Sequence, residues 1–242
     1  DSLLVHKKTI LRDTAALNIA NHTLEGPLGY IFANQDIAKA YYFMGRNFYY
    51  LNDFSTAADY YILCDRLNPK DPLYKGRVNS CMGYLCKQDS CFEEALVFYE
   101  RANEAFEKSG DEKRIANGLV SIAEQYVNLK EYAKADSVLS LASRYEIDSA
   151  YYADVMDVKA LALFNQQKYD AALSCLLEIK GYPRNIEARC YSYKIIMGCY
   201  YDIDKINLAV PYAEYIIQKS INLNYLSSAY CILLSSVRCN SD

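Results

Sequence analysis

Tryptophan is absent from these 242 residues, and His (2), Pro (5) and Gly (9) are scarce. So few Gly and Pro exclude an architecture of many tight sheet turns, each of which usually requires Gly, Pro or Asn, and point to long helices. No run of about 18 apolar residues occurs, so no helical membrane span is written into the chain. Charge is lacking as a signal too: 26 basic against 30 acidic residues leave a net −4, no footprint for nucleic acid. What is present is a 52% hydrophobic chain, too apolar to stay disordered, with 25 Tyr.

Chemistry is also sparse. No phosphate-cradling glycine loop, nucleophile elbow or H-E-x-x-H motif occurs. The run Asp202-Ile203-Asp204 opens like a calcium loop, but its sixth position lacks the needed Gly and Ala213 stands where Glu should close it. The nine Cys are read mainly as small buried hydrophobes of a reducing compartment, which favours the cytoplasm. A cell-envelope location would follow if a signal preceded the array. Cys81, Cys86 and Cys91 lack the paired spacing and the His of a zinc site. His6 and His22 are the sole imidazoles, so no His activates Cys175 through Cys239. Asp154 and Asp157, at i and i+3, are read as a solvated helix face rather than an acid/base pair. The expectation is a non-enzymatic chain with no cofactor and no metal.

A repeat organises the rest. A small residue, an apolar one three later and Ala nine beyond recur as Gly45/Phe48/Ala57, Gly83/Cys86/Ala95, Ala123/Tyr126/Ala135 and Ala160/Leu163/Ala172. A looser fifth set is Met197/Tyr200/Ala209, so the alanines stand 38, 40, 37 and 37 residues apart. A large residue precedes each Ala by three: Phe54, Phe92, Tyr132, Tyr169 and Ile206. Another follows by four: Tyr61, Tyr99, Leu139 and Leu176, with Ala213 in the fifth set. Such spacing places one stripe on each of two helices joined by a tight turn. Polar turns around Asn52-Asp53, Asp89-Ser90, Lys130-Glu131, Gln167-Lys168 and Asp204-Lys205 separate the helices of a pair. Segments such as Pro69-Lys70-Asp71-Pro72 and Ser109-Gly110-Asp111 separate the pairs.

These residues resemble the tetratricopeptide repeat family, best in Tyr41, Met44-Gly45, Phe48, Ala57, Tyr61, Cys64 and Pro69. The period exceeds that family's 34, as in bacterial members with elongated units, so several helices should be longer by about a turn. The resemblance implies an all-α fold, a right-handed α-α superhelix of stacked antiparallel helix pairs. Residues 1–36 read as an N-terminal helical cap or degenerate repeat, 37–221 as five pairs, and 222–242 as the first helix of a truncated sixth unit. With no partner helix, Ile232, Leu233 and Val237 should stay partly exposed and invite self-association.

By the same resemblance the first helices line a concave, partner-binding surface. Its lining positions here are Lys39, Tyr42, Arg46, Tyr49 and Tyr50, then Arg77, Tyr84 and Lys87, then Asn117, Glu124 and Asn128. The fourth unit supplies Asp154 and Asp157, and the fifth Tyr191, Lys194 and Tyr201. The first two units are basic and aromatic, which suits an acidic segment. The implied function is a scaffold that binds another protein or a peptide. The alternative is the sensory or regulatory input domain of a larger, membrane-linked bacterial transcriptional regulator.

Overall fold

The computed structural model describes residues 34–67, 69–145, 147–220 and 222–239. Of the cap expected over residues 1–36, the part up to residue 33, with His6 and His22, lies outside the described residues. Among the described residues there are eleven helices and no strand. The first helix of each pair is α1 (Asn34–Tyr50), α3 (Pro72–Gln88), α5 (Glu112–Asn128), α7 (Ser149–Asn165) or α9 (Ile186–Asp202). The corresponding second helices are α2 (Phe54–Arg66), α4 (Phe92–Ser109), α6 (Tyr132–Ala142), α8 (Tyr169–Glu178) and α10 (Ile206–Lys219). A last helix, α11 (Leu223–Cys239), follows.

One backbone device closes all five pairs. Asn52, Ser90, Lys130, Gln167 and Asp204 each adopt a left-handed conformation, with φ of 60°, 60°, 61°, 61° and 57°. The next amide in each turn donates back across five residues: Asp53 to Phe48, Cys91 to Cys86, Glu131 to Tyr126, Lys168 to Leu163 and Lys205 to Tyr200. This is the Schellman ending of a helix, and the accepting residues are the apolar members of the repeat. The left-handed residues stand 38, 40, 37 and 37 apart, the same intervals as the alanines. A left-handed non-Gly residue costs about 1–2 kcal/mol, offset by carbonyls that would otherwise lack donors.

The starts of the first helices share a second device. Asp71, Asp111, Asp148, Asn185 and Asn222 accept from the amides of Leu73, Arg114, Tyr151, Ala188 and Asn224 at 2.8–3.1 Å. Each satisfies an amide that has no partner inside its helix, a contribution of about 1 kcal/mol.

The seam between paired helices follows a size rule. Ala57, Ala95, Ala135, Ala172 and Ala209 are fully buried on the second helices. A Cβ on Gly45 would lie 2.6 Å from the Tyr61 ring, and one on Gly83 would lie 3.0 Å from Tyr99, so glycine makes room for each aromatic. Down the chain the partners become Ala123 and Leu139, Ala160 and Leu176, and finally Met197 and Ala213, all buried. The bulky Met197 that loosens the fifth set in the sequence is matched by a small residue on α10. Volume is conserved across each pair even where residue identity is not.

The chain divides into two compact units after Gly118, within α5. In the first, Tyr42, Tyr61, Cys64, Val78 and Leu85 form a core with Ala38 and Ala57. In the second, a larger core runs from Ala153 on α7 to Ile232 on α11, with Tyr193 edge-on to Tyr212 (4.9 Å) and Tyr215 (5.0 Å). The expectation for α11 is corrected at one residue: the helix packs on α9 and α10 and Ile232 is only 7% exposed, while Leu233 is half-buried against the core and Val237 stays exposed. The exposed apolar residues lie on its far side: Leu234 (66%) and Val237 (65%), with Tyr230. Thiol placement is mixed. Cys64, Cys175, Cys190 and Cys199 are buried, Cys91 and Cys231 are exposed, and these six, like Cys81 and Cys86, are free thiols.

Candidate functional site

In the first unit, the expected lining residues of α1 and α3 come together around aromatic rings. Arg46 donates from Nη2 to the Tyr50 hydroxyl at 2.8 Å, and its guanidinium sits 5.4 Å from the Tyr50 ring and 5.9 Å from Tyr42. Tyr74 takes Lys39 at 5.6 Å and Arg77 at 5.5 Å. Lys87 lies 5.4 Å from Tyr84, which meets Tyr49 edge-on, also at 5.4 Å. Cations held over aromatic faces keep their charge near the surface while their stems cover the rings. The Arg77 Nε is enclosed and has no hydrogen-bond acceptor among the described residues.

Two details differ from the sequence reading. Tyr42 is 5% exposed and belongs to the core, so it supports Arg46 from beneath rather than offering a stacking face. Burial pushes its hydroxyl up to about 12, against the lowering pull of Arg46, Arg77 and Arg114. Arg114 on α5 is a third guanidinium of the first unit, 5.7 Å from the Phe106 ring and one helical turn before the lining positions. It is ion-paired with Asp111 at 3.0 Å.

In the second unit, Asp154 and Asp157 are not a solvated face. Arg184, from the loop between α8 and α9, donates from Nη2 to Asp154 Oδ1 at 2.7 Å and to Asp157 Oδ2 at 2.5 Å. Its Nη1 donates to Ser192 Oγ at 2.7 Å, and Ser192 donates on to Asp157 Oδ1 at 2.6 Å. The side chains of Arg184 and Asp157 are 5% and 3% exposed. Burial pushes Asp157 up to about 6, with Arg184 and Ser192 pulling the other way. This clasp ties α7 to α9. Arg184 carries no repeat register, being outside every helix, and only the excess of buried carboxylate could have hinted at it.

Asn117 is exposed in the first unit, and Asn128 donates to Gln125 in the second. The Tyr191 hydroxyl donates to Glu124 at 3.3 Å, and its enclosure beside that carboxylate pushes it well above the ordinary phenol value. Tyr191, Lys194 and Tyr201 line a cavity of about 480 Å³ between α7, α9 and α11. Among the described residues no group of three or more His, Cys, Asp or Glu is placed to hold a metal ion.

Antiparallel helix pairs repeating in register define a helical-repeat solenoid of the tetratricopeptide-like type. The chain is similar to the apo form of the quorum sensor NprR from B. thuringiensis, with a TM-score of 0.73 and 12% identity. The match covers 98% of this chain and 67% of that one. No protein family's sequence model matches the chain, and no curated protein matches it.

Proposed function

We propose that the chain is a non-enzymatic scaffold that binds a peptide or a partner protein on the face formed by its first helices. The observation that carries this is the basic, aromatic face of the first unit. Arg46, Arg77, Lys39 and Lys87 are held over tyrosine rings there. Guanidinium over an aromatic ring is a strong carboxylate-binding arrangement, and Tyr and Arg are enriched where binding energy concentrates. The expected partner segment is acidic and extended. Likeness in fold to a quorum sensor supports a regulatory binding role and adds nothing for the membrane-linked alternative. No described helix is long and apolar enough to cross a membrane.

The test is an array of acidic, neutral and basic peptides probed with wild type and with Arg46→Glu/Arg77→Glu. Acidic peptides should bind wild type preferentially and lose that preference with the variant. Equal binding of all three classes would sink the assignment.

A further inference from the structure

A cavity of about 580 Å³ opens in the second unit where the end of α6, the start of α7 and the end of α8 converge. None of its residues belongs to the lining stripe of the first helices. Four tyrosines line it: Tyr145, Tyr151, Tyr152 and Tyr182. The repeat brings them together. Tyr145 and Tyr182 stand 37 residues apart, one period, so they hold equivalent places in the loops that precede α7 and α9. The first turn of α7 supplies Tyr151 and Tyr152.

The rings differ in role. Tyr151 is 5% exposed, and its hydroxyl donates to the carbonyl of Ala142, the last residue of α6, at 2.7 Å. It is a fixed back wall. Tyr152 is 41% exposed, and its ring centroid lies 6.1 Å from that of the half-buried Tyr182, the planes inclined at 39°. These two make one aromatic surface at the cavity, and Ile147 and Val155 add aliphatic surface beside it.

The charge around this surface has one sign. Glu178 accepts from the Tyr152 hydroxyl at 2.7 Å, a neutral donor that leaves the carboxylate its charge. Asp148 lines the cavity as well, with Oδ1 on the amide of Tyr151 at 2.8 Å. Among the described residues, none that lines the cavity is Lys, Arg or His. The backbone adds to the same sign. Ser143 follows the last residue of α6 and Glu178 is the last of α8, so two helix C-termini, each partly negative, border the space. The one N-terminus there, that of α7, is capped by Asp148.

Aromatic faces beside carboxylates, in a cavity of small-molecule size, suit an organic cation. Hydration decides which kind. A primary ammonium carries three N–H donors that each need an acceptor once water is removed, and Glu178 already accepts from Tyr152. A quaternary ammonium has no N–H to satisfy, and its methyl groups pack on rings and on Ile147 and Val155. We propose that this cavity binds a small molecule with a trimethylammonium head, held against Tyr152 and Tyr182 and balanced by Glu178. The cavity shares no residue with the basic face of the first unit, and its ligand is of opposite charge.

Isothermal titration at constant ionic strength is run with choline, ethanolamine and the uncharged tert-butyl analogue of choline. The proteins are wild type, Glu178→Gln, Tyr182→Leu and Arg46→Glu/Arg77→Glu. Choline should bind wild type about tenfold or more tighter than either other compound, the size of a cation–π contact in a partly desolvated site. Glu178→Gln, at an exposed position, should weaken choline at least about fivefold and leave the tert-butyl analogue unchanged, which a merely disturbed fold would not do. Tyr182→Leu keeps apolar bulk without the ring and should shrink choline's advantage over that analogue. Arg46→Glu/Arg77→Glu should bind choline as wild type does, so failure here and failure of the acidic-peptide reading are separate results. Choline binding no tighter than its uncharged analogue, or not at all at millimolar concentration, would overturn the cation site. Unchanged choline binding in both Glu178→Gln and Tyr182→Leu would place choline elsewhere and overturn it too. Tighter binding of ethanolamine would overturn the quaternary head. A trimethyl-lysine peptide binding at least about tenfold tighter than choline would assign the head group to a protein side chain and overturn the small-molecule assignment.

Discussion

Replacing Arg184 with Met removes the cation from the clasp that joins α7 to α9. Asp157 would keep the Ser192 hydrogen bond and lose both the 2.5 Å contact and the compensating charge, while its side chain stays 97% covered, since only 3% is exposed. Breaking one side of a buried pair typically costs about 3–5 kcal/mol, because the surviving charge is left in a medium that cannot solvate it. The cost must depend on pH. In wild type burial already pushes Asp157 up to about 6, above the unfolded carboxylate value of 3.8. A raised folded-state pKa means the folded protein binds the extra proton between those values, so this group's contribution is present at low pH and lost as pH rises through 6. Arg184 is one of the influences holding that pKa down, so its removal sends it higher. Each further unit adds about 1.4 kcal/mol to the penalty above the new pKa, and none where both states are protonated. Urea unfolding followed by circular dichroism should therefore show Arg184→Met costing about 4 kcal/mol at pH 8 and about 2 kcal/mol or less at pH 5. The pH difference should vanish in Arg184→Met/Asp157→Asn, and Arg184→Leu/Asp157→Leu should recover most of the loss. A cost under about 1 kcal/mol at pH 8, or an equal cost at both pH values, would refute the reasoning.

Other consequences are open to direct measurement. Lys130→Gly and Gln167→Gly should each stabilise the fold by about 1 kcal/mol in urea unfolding, since both residues sit at φ 61°; a loss of stability would mean their side chains matter more than their backbone. Ala160→Met should cost about 1–3 kcal/mol and Leu176→Ala about 2–5, while the double variant, which copies the Met197 and Ala213 arrangement, should cost less than the sum. Strict additivity in that cycle would refute the size rule at the seam. The exposed Leu234 and Val237 should support self-association that appears in a light-scattering concentration series and disappears with Leu234→Lys/Val237→Lys. Among the described cysteines, Cys91 and Cys231 should react first with iodoacetamide at pH 8, because burial pushes Cys64 and Cys199 up to about 12; early alkylation of Cys64 would contradict this.

The repeat was legible because its signal is redundant. The buried alanines and the large residue three positions before each share one period, so a mismatch such as Met197 does not hide it. The turns were legible only as polar stretches. Their left-handed residues are Asn, Ser, Lys, Gln and Asp rather than Gly, so nothing in residue type marks the strained position. On the candidate site, sequence spacing assigned Arg46, Arg77, Tyr49, Tyr50 and Tyr84 to one lining stripe of the first helices. It could not tell Tyr42, which fills the core, from Tyr50 eight residues on at the surface, because helical spacing fixes a face and not a depth. Nor could it find Arg184, whose partners are 27 and 30 residues distant and set by tertiary packing alone. The cavity walled by Tyr145 and Tyr182 was hidden for the same reason: its residues come from the ends of three helices that only the fold brings together.

In the proposed function this solenoid binds an acidic segment through the guanidinium and aromatic face of its first unit. Isothermal titration of the best acidic peptide from the array, into wild type and into Arg46→Glu/Arg77→Glu at low and high salt, tests it most directly. Wild type should bind with an affinity that weakens as salt rises, and the variant should bind at least about a hundredfold more weakly, as expected for truncating charge-paired contacts. An unchanged affinity in the variant, or an affinity indifferent to salt, would contradict the claim.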